Sequence, residues 1–143
     1  LFRSQKIAKM HLLTIAICSF LLFFQDSLEN KLGSRVGKSR VVLVYCPKVS
    51  ESEFKLQKKW LSEVGKEILE RDLQIIDCVE AHLSAEDALH LKERFKYSPD
   101  HFCFWLIGKD GEVKLISSKP IKPEQLFGLI DSMPMRREEM KKN

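Results

Sequence analysis

Residues 41–46 read Val-Val-Leu-Val-Tyr-Cys, and Pro47 follows them directly. Aliphatic, β-branched and aromatic residues without a polar interruption favour a strand that is buried on both faces. The run is too short to span a membrane as a helix. We therefore predict that it is the first strand of an α/β sheet, with Cys46 at the end where any chemistry would be placed.

Helix and strand patterns alternate after this strand. Ser50 and Glu53 match a capping box, which predicts that a helix starts there. The hydrophobic spacing predicts that this helix has the apolar stripe Phe54, Leu61, Val64 and Ile68, and that a strand follows at Leu73–Val79.

The second half of the domain has the same kinds of signal. A helix capped at Ser84 is predicted, with Ala88, Leu91 and Phe95 buried. A hairpin of Phe102–Ile107 and Glu112–Ser117 follows around Asp110-Gly111, and the last predicted helix starts at Pro123 with the apolar stripe Leu126, Leu129, Ile130 and Met133.

The predicted order β-α-β-α-β-β-α is that of a thioredoxin-like α/β fold. We expect a mixed four-stranded sheet with helices on both faces. The first strand lies centrally in this arrangement, with the second strand parallel to it on one side and the third antiparallel on the other. An element order of this kind predicts a fold, and it does not by itself predict a function.

Length and composition limit the possible classes of protein. The chain has 143 residues, of which 44% are hydrophobic and 31% charged, as is usual for one globular domain. Its formal net charge of +4 is small and gives no reason to expect nucleic-acid binding.

The N-terminal stretch has the pattern of a secretory signal. Leu12–Phe24 contains no charged residue and follows Lys6 and Lys9, which is typical of a signal-peptide core behind a basic segment. Met10 is a candidate initiator, which would place residues 1–9 upstream of the natural start. A retained anchor and an unrelated apolar helix remain open as alternatives.

These patterns divide the chain into four parts. We predict an upstream flank and signal peptide at residues 1–27, a linker at 28–39, a thioredoxin-like domain at 40–133 and a charged C-terminal helix or tail at 134–143. Cleavage of the signal would leave a secreted, extracellular protein with no stable membrane span.

Three cysteines follow the predicted signal: Cys46, Cys78 and Cys103. The strand order places all three at one edge of the sheet. A redox enzyme of this fold needs a thiolate at the start of the helix after the first strand, but Val49-Ser50-Glu51-Ser52 occupies that place and no Cys-x-x-Cys is present. We expect buried thiols. A Cys46–Cys78 or Cys46–Cys103 bridge and a redox-active thiol remain open.

The other residues with metal-binding or acid-base chemistry form no recognisable pattern. His82, His90 and His101 lack the spacing of a metal site with the cysteines, so we expect no metal and no cofactor. Asp77 lies inside a predicted strand, where it either accepts a proton from a thiol or points to solvent near a sheet edge. We favour the second reading.

Several motifs resemble one family of extracellular domains. The most specific is Leu126-Phe127-Gly128-Leu129-Ile130-Asp131-Ser132-Met133-Pro134-Met135-Arg136-Arg137-Glu138-Glu139-Met140, which is supported by Glu70-Arg71-Asp72-Leu73 and by Gly108-Lys109-Asp110-Gly111-Glu112-Val113-Lys114. Together they resemble a domain of unknown function found in sushi-repeat-containing proteins, coiled-coil domain-containing protein 80, equarin and small bacterial proteins.

This resemblance implies a thioredoxin- and peroxiredoxin-like fold, secretion, and an association with extracellular matrix or cell adhesion that includes glycosaminoglycan binding. It carries no catalytic residues with it, so we expect a non-catalytic binding module. An alternative is a thiol-dependent oxidoreductase that uses Cys46 with Cys78 or Cys103. The candidate contacts for a polyanion or matrix protein are Arg35, Lys38, Arg40, Arg136, Arg137, Lys141 and Lys142. Arg136 or Arg137 is also predicted to pair with Asp131.

Overall fold

The structure is a computed structural model that describes residues 26–142. The predicted signal core and Met10 lie outside these residues. The helices are α1 (Leu28–Gly33), α2 (Glu51–Ser62), α3 (Gly65–Glu70), α4 (Ala85–Phe95), α5 (Pro123–Ser132) and α6 (Pro134–Lys142), and the strands are β1 (Arg40–Cys46), β2 (Leu73–Val79), β3 (Cys103–Ile107) and β4 (Val113–Ser117). Within residues 26–142, no helix is long and apolar enough to cross a membrane.

The four strands form one mixed sheet in the order β2-β1-β3-β4. β1 pairs with β2 in parallel and with β3 antiparallel, and β3 and β4 form the predicted hairpin. Every residue of β1 is buried. The apolar run of residues 41–46 predicts this burial, but the charged Arg40 at the start of the strand does not. The predicted fold class and strand order are therefore confirmed.

Helices cover both faces of the sheet and produce two cores. Because side chains alternate along a strand, Leu43 and Tyr45 face one core while Val42 and Val44 face the other. The first core contains residues of α1 and α4, and the second contains residues of α2, α3 and α5. The predicted helices on both faces are confirmed.

The structure differs from the predicted boundaries at both ends of the domain. Residues 28–39 are predicted as a linker, but α1 lies there and buries Leu28 and Leu32 against the sheet. Its two leucines are four residues apart, so they lie on one helical face and add to the core. At the other end, residues 134–142 form a helix that is tied to the domain by ion pairs.

The first long helix also differs from its prediction in two details. It is divided at Glu63 and Val64, and Gly65, which has a low helix propensity, begins the separate helix α3. The side chain of Ser50 makes no capping hydrogen bond, and the Glu53 carboxylate accepts a hydrogen bond from the Ser52 hydroxyl at 2.7 Å. The second predicted cap is confirmed, since Ser84 accepts from the backbone N–H of Asp87 at 3.0 Å.

Candidate functional site

A cavity of about 580 Å³ opens at the end of β1, where it meets the start of α2. This is the carboxyl edge of the parallel strands β1 and β2, where α/β folds commonly bind ligands. The cavity is lined by Cys46, Pro47, Lys48, Glu51, Phe54, Lys55, Val79, Glu80 and Ala81. The sequence predicts that any chemistry would lie at this end of β1, and the structure has a cavity there.

The Cys46 thiol at this cavity is in an environment that disfavours the thiolate. Only 4% of the residue is exposed, and its Sγ lies 3.5 Å from the carbonyl oxygen of Pro47. Burial raises the pKa of Cys46, and the nearby carboxylates, Glu51 first among them, raise it further. A nucleophilic cysteine needs the opposite environment, with cationic neighbours or a hydrogen bond to the thiolate.

Cys78 and Cys103 lie at the same edge, as predicted, but on the other face of the sheet from Cys46. Both are in register with Tyr45 on β1, one on each side of it. Two strand spacings separate them by roughly 10 Å, which exceeds the limit of about 7 Å between the Cα atoms of a disulfide. All three cysteines are free, so neither the Cys46–Cys78 nor the Cys46–Cys103 bridge is formed. Burial raises the pKa of Cys103 and raises that of Cys78 to about 12.

We predict that all three thiols react with a disulfide reagent only when the domain opens. At pH 8 the native protein should react at least about 100-fold more slowly than the same protein in denaturant, because the raised pKa values leave little thiolate and burial blocks access. The reaction is followed by absorbance from pH 7 to 10, and the denatured protein is the control for reagent quality. A native cysteine that titrates below about pH 7.5 would contradict the prediction.

A partly buried ionic cluster lies at the opposite edge of the sheet, where β1 begins. Arg40 is 1% exposed, and its Nη1 and Nη2 donate to the two carboxylate oxygens of Glu139 at 3.1 and 3.2 Å. Lys109 Nζ donates to Glu139 and to Asp72, each at 2.7 Å. These bonds connect the first strand, the β3–β4 hairpin and the C-terminal helix.

The cluster continues from Glu139 to Asp131 on α5. Arg71 donates to both oxygens of Asp131 at 2.6 and 3.0 Å, and Arg136 Nε donates to it at 3.2 Å. The predicted pairing of Arg136 with Asp131 is therefore confirmed. Burial acts to raise the pKa of Asp131 and Glu139, but the hydrogen bonds and charges of their basic partners outweigh it and hold both values below their usual range.

The predicted polyanion contacts fall into two groups. Arg40 and Arg136 are buried and ion-paired inside the domain, so neither is exposed to an external polyanion while these ion pairs are formed. Their positions explain this, because Arg40 starts the fully buried strand and Arg136 faces α5. Arg35 is half-buried, and the exposed members of the predicted set are Lys38, Arg137, Lys141 and Lys142.

His82, His90, His101 and Asp77 are the other residues with metal-binding or acid-base chemistry. Among residues 26–142, no group of three or more His, Cys, Asp or Glu side chains is placed to hold a metal ion. Asp77 lies on the edge strand β2 and is exposed, and it accepts from Lys58 Nζ at 2.8 Å. The favoured reading of Asp77 as a solvent-facing residue is confirmed.

The family model described as "Domain of unknown function (DUF4174)" matches residues 31–139. The chain belongs to this family. It is also 39% identical over 59 residues to "Coiled-coil domain-containing protein 80" of Danio rerio, a match that covers 41% of this chain and 7% of that protein. The DUF4174 chain thus spans only a small part of this curated relative. The family predicted from the sequence motifs is confirmed.

A solved structure resembles the same fold. The reduced 2-Cys peroxiredoxin of Plasmodium vivax superposes on the DUF4174 domain with a TM-score of 0.52, and the match covers 78% of this chain and 85% of that chain. Sequence identity is 16%, so the likeness shows a shared fold and carries no activity with it.

The sequence did not predict that Asp72, Lys109 and Glu139 meet in the ionic cluster, nor that one amide of the DUF4174 domain is buried. Asp72, Lys109 and Glu139 stand in its quoted motifs, but nothing in their spacing shows that they converge. Gln57 is fully buried, and its amide donates to the carbonyl of Ile121 at 3.0 Å and accepts from the N–H of Ile121 at 2.7 Å. A signal existed for Gln57, because it lies three residues after Phe54 on the apolar stripe.

Proposed function

We propose that this DUF4174 domain is a non-catalytic, thioredoxin-like binding module. The observation that carries the proposal is the state of Cys46. A thiol enzyme of this fold needs an activated nucleophile at the start of α2, but Cys46 lies before that point, at the end of β1, as a buried thiol whose pKa is raised by burial and by nearby carboxylates. The first turn of α2 contributes Glu51 and Glu53 there, so the local charges oppose thiolate formation.

We further propose that the module is secreted and binds an extracellular matrix or cell-adhesion partner, with a glycosaminoglycan as the candidate polyanion. Three of the exposed cations lie together on the C-terminal helix: Arg137, Lys141 and Lys142. Lys141 pairs with Glu138 at 2.7 Å on the surface, where such a pair contributes little and can be exchanged for a ligand. Lys38 and Arg35 precede β1 and supply the remaining contacts.

Heparin chromatography tests this surface. Replacing Arg137, Lys141 and Lys142 together with Gln should weaken heparin binding about tenfold and lower the eluting salt concentration, because three screened charge contacts are lost. The matched control replaces the exposed Lys59, Lys66 and Lys92 with Gln, which changes the net charge equally. Equal shifts in the two variants, or elution of the wild type with a neutral control protein, would reject the polyanion surface.

A second candidate function is a thiol-dependent oxidoreductase acting through Cys46. It is favoured by one observation, since Cys46 lines the cavity at the carboxyl edge of the parallel strands. Consumption of a peroxide or a small disulfide by the wild type, and its loss in Cys46→Ser, would establish this activity and overturn the non-catalytic proposal. Absence of turnover in both proteins would remove the second candidate.

A further inference from the structure

Three cations surround a single carboxylate at the start of β1. The Glu139 carboxylate accepts from Arg40 and Lys109 and lies 3.7 Å from Nη1 of Arg136. We call Arg40, Lys109 and Arg136 the Glu139 socket. Arg40 and Arg136 are more than nine-tenths buried, and Lys109 has a side chain 10% exposed. These three cations therefore form a largely enclosed anion site, which the Glu139 side chain of the same chain occupies.

Helix α6, which carries Glu139, is attached to the domain by polar contacts. Arg136 is its one buried residue, and all nine of its residues lie in the described part of the chain. Its two apolar side chains after Pro134, Met135 and Met140, are 50% and 43% exposed. Because burial of apolar surface contributes little here, the attachment of α6 depends on the ion pairs of Glu139 and Arg136.

The charges of the cluster do not balance. Among the described residues it contains four cations and three carboxylates, which leaves one positive charge: Arg40, Arg71, Lys109 and Arg136 against Asp72, Asp131 and Glu139. An anion with two negative charges in the place of Glu139 would make the cluster neutral. A single carboxylate does not.

The hydrogen-bond donors around Glu139 outnumber its oxygen atoms. Arg40 Nη1 and Nη2 and Lys109 Nζ donate to the carboxylate, and Arg136 Nη1 lies 3.7 Å from it. Glu139 offers two oxygen atoms, whereas a tetrahedral oxyanion offers four and is well matched to a guanidinium group. Charge and donor count therefore favour the same kind of anion.

We propose that the Glu139 socket binds a dianionic tetrahedral oxyanion, a phosphate or sulfate group, and that this group displaces Glu139 and releases α6. Release without a replacement anion is disfavoured, because Arg40 would lose its counter-ion. Anion binding and helix release are thus coupled. The proposal is independent of the polyanion surface above, since it uses the buried arginines and not the exposed tail cations.

Anion rescue of the full chain tests the socket. Glu139→Gln removes the negative charge from the socket. Sulfate or phosphate near pH 8 should therefore raise the Tm of this variant by about 5 °C or more beyond the effect of chloride at equal ionic strength. The matched control is Glu138→Gln, which loses the neighbouring carboxylate that pairs only with Lys141. It measures the general stabilising effect of these salts. An equal gain in both variants would show only the general stabilising effect of these salts and would overturn the proposal.

The wild type provides a second measurement that needs no variant. Phosphate should speed trypsin cleavage after Arg137 about tenfold relative to chloride at equal ionic strength, because a released helix is accessible to protease. Phenyl phosphate, a monoester, distinguishes free phosphate from esterified phosphate as the natural anion. If it speeds cleavage as much as inorganic phosphate does, the site accepts esterified phosphate as well as the free ion. A smaller increase in the cleavage rate assigns the site to the free ion. Unchanged cleavage with both compounds would overturn the coupling to α6.

Discussion

Glu139→Ala is expected to lower the free energy of unfolding by about 3–5 kcal/mol, which is a large part of the stability of a domain of this size. The cause is the environment of Arg40, which is 1% exposed and pairs with both oxygens of Glu139. Truncation leaves this buried guanidinium without its counter-ion, and it also removes one of the two carboxylates that hold Lys109. Urea denaturation followed by circular dichroism measures the loss.

The neighbouring Glu138 is a matched control for this experiment. Its side chain is 64% exposed and pairs with Lys141, so Glu138→Ala should change the free energy of unfolding by no more than about 0.5 kcal/mol. Similar changes in the free energy of unfolding for the two variants would show that the ion pairs of Glu139 are not what chiefly attaches α6 to the domain. The double variant Arg40→Met with Glu139→Met should recover much of the loss, because no unpaired charge stays buried.

The fold could be predicted because its signals are local. The uninterrupted apolar run of β1, the Asp110-Gly111 turn between β3 and β4 and the apolar stripe of α5 each identify an element, and the element order then restricts the topology. The edge shared by Cys46, Cys78 and Cys103 followed from that topology alone. The faces of the sheet on which the thiols lie depend on the register, which the strand patterns left open.

The ionic cluster could not be predicted because its members are distant in sequence. Arg40 and Glu139 are 99 positions apart, and each resembles a residue of a charged surface when it is taken alone. Strand periodicity contained a partial signal, since Arg40 shares its face of β1 with Val42 and Val44. The short helix α1 was missed for a different reason: its six residues are surrounded by glycine, serine and charged residues, which are typical of a linker.

Gln57→Leu is expected to lower the free energy of unfolding by about 2–4 kcal/mol, although it replaces a buried polar side chain with an apolar one of similar size. The Gln57 amide satisfies both the N–H and the carbonyl of Ile121, in the connection between β4 and α5. Leucine leaves both backbone groups without their partner, and each costs about 1–3 kcal/mol where water has no access. Urea denaturation again provides the measurement.

The same substitution at Gln125 separates this effect from a change in helix propensity. Gln125 is exposed on α5, so Gln125→Leu should change the free energy of unfolding by no more than about 0.5 kcal/mol. A stable Gln57→Leu variant would mean that the Ile121 groups find water or other partners, and the β4–α5 connection would then be held by packing alone. A large loss of stability would mean that the hydrogen bonds between Gln57 and Ile121 hold α5 in place. They would then also position Asp131, the residue of α5 that pairs with Arg71 and Arg136.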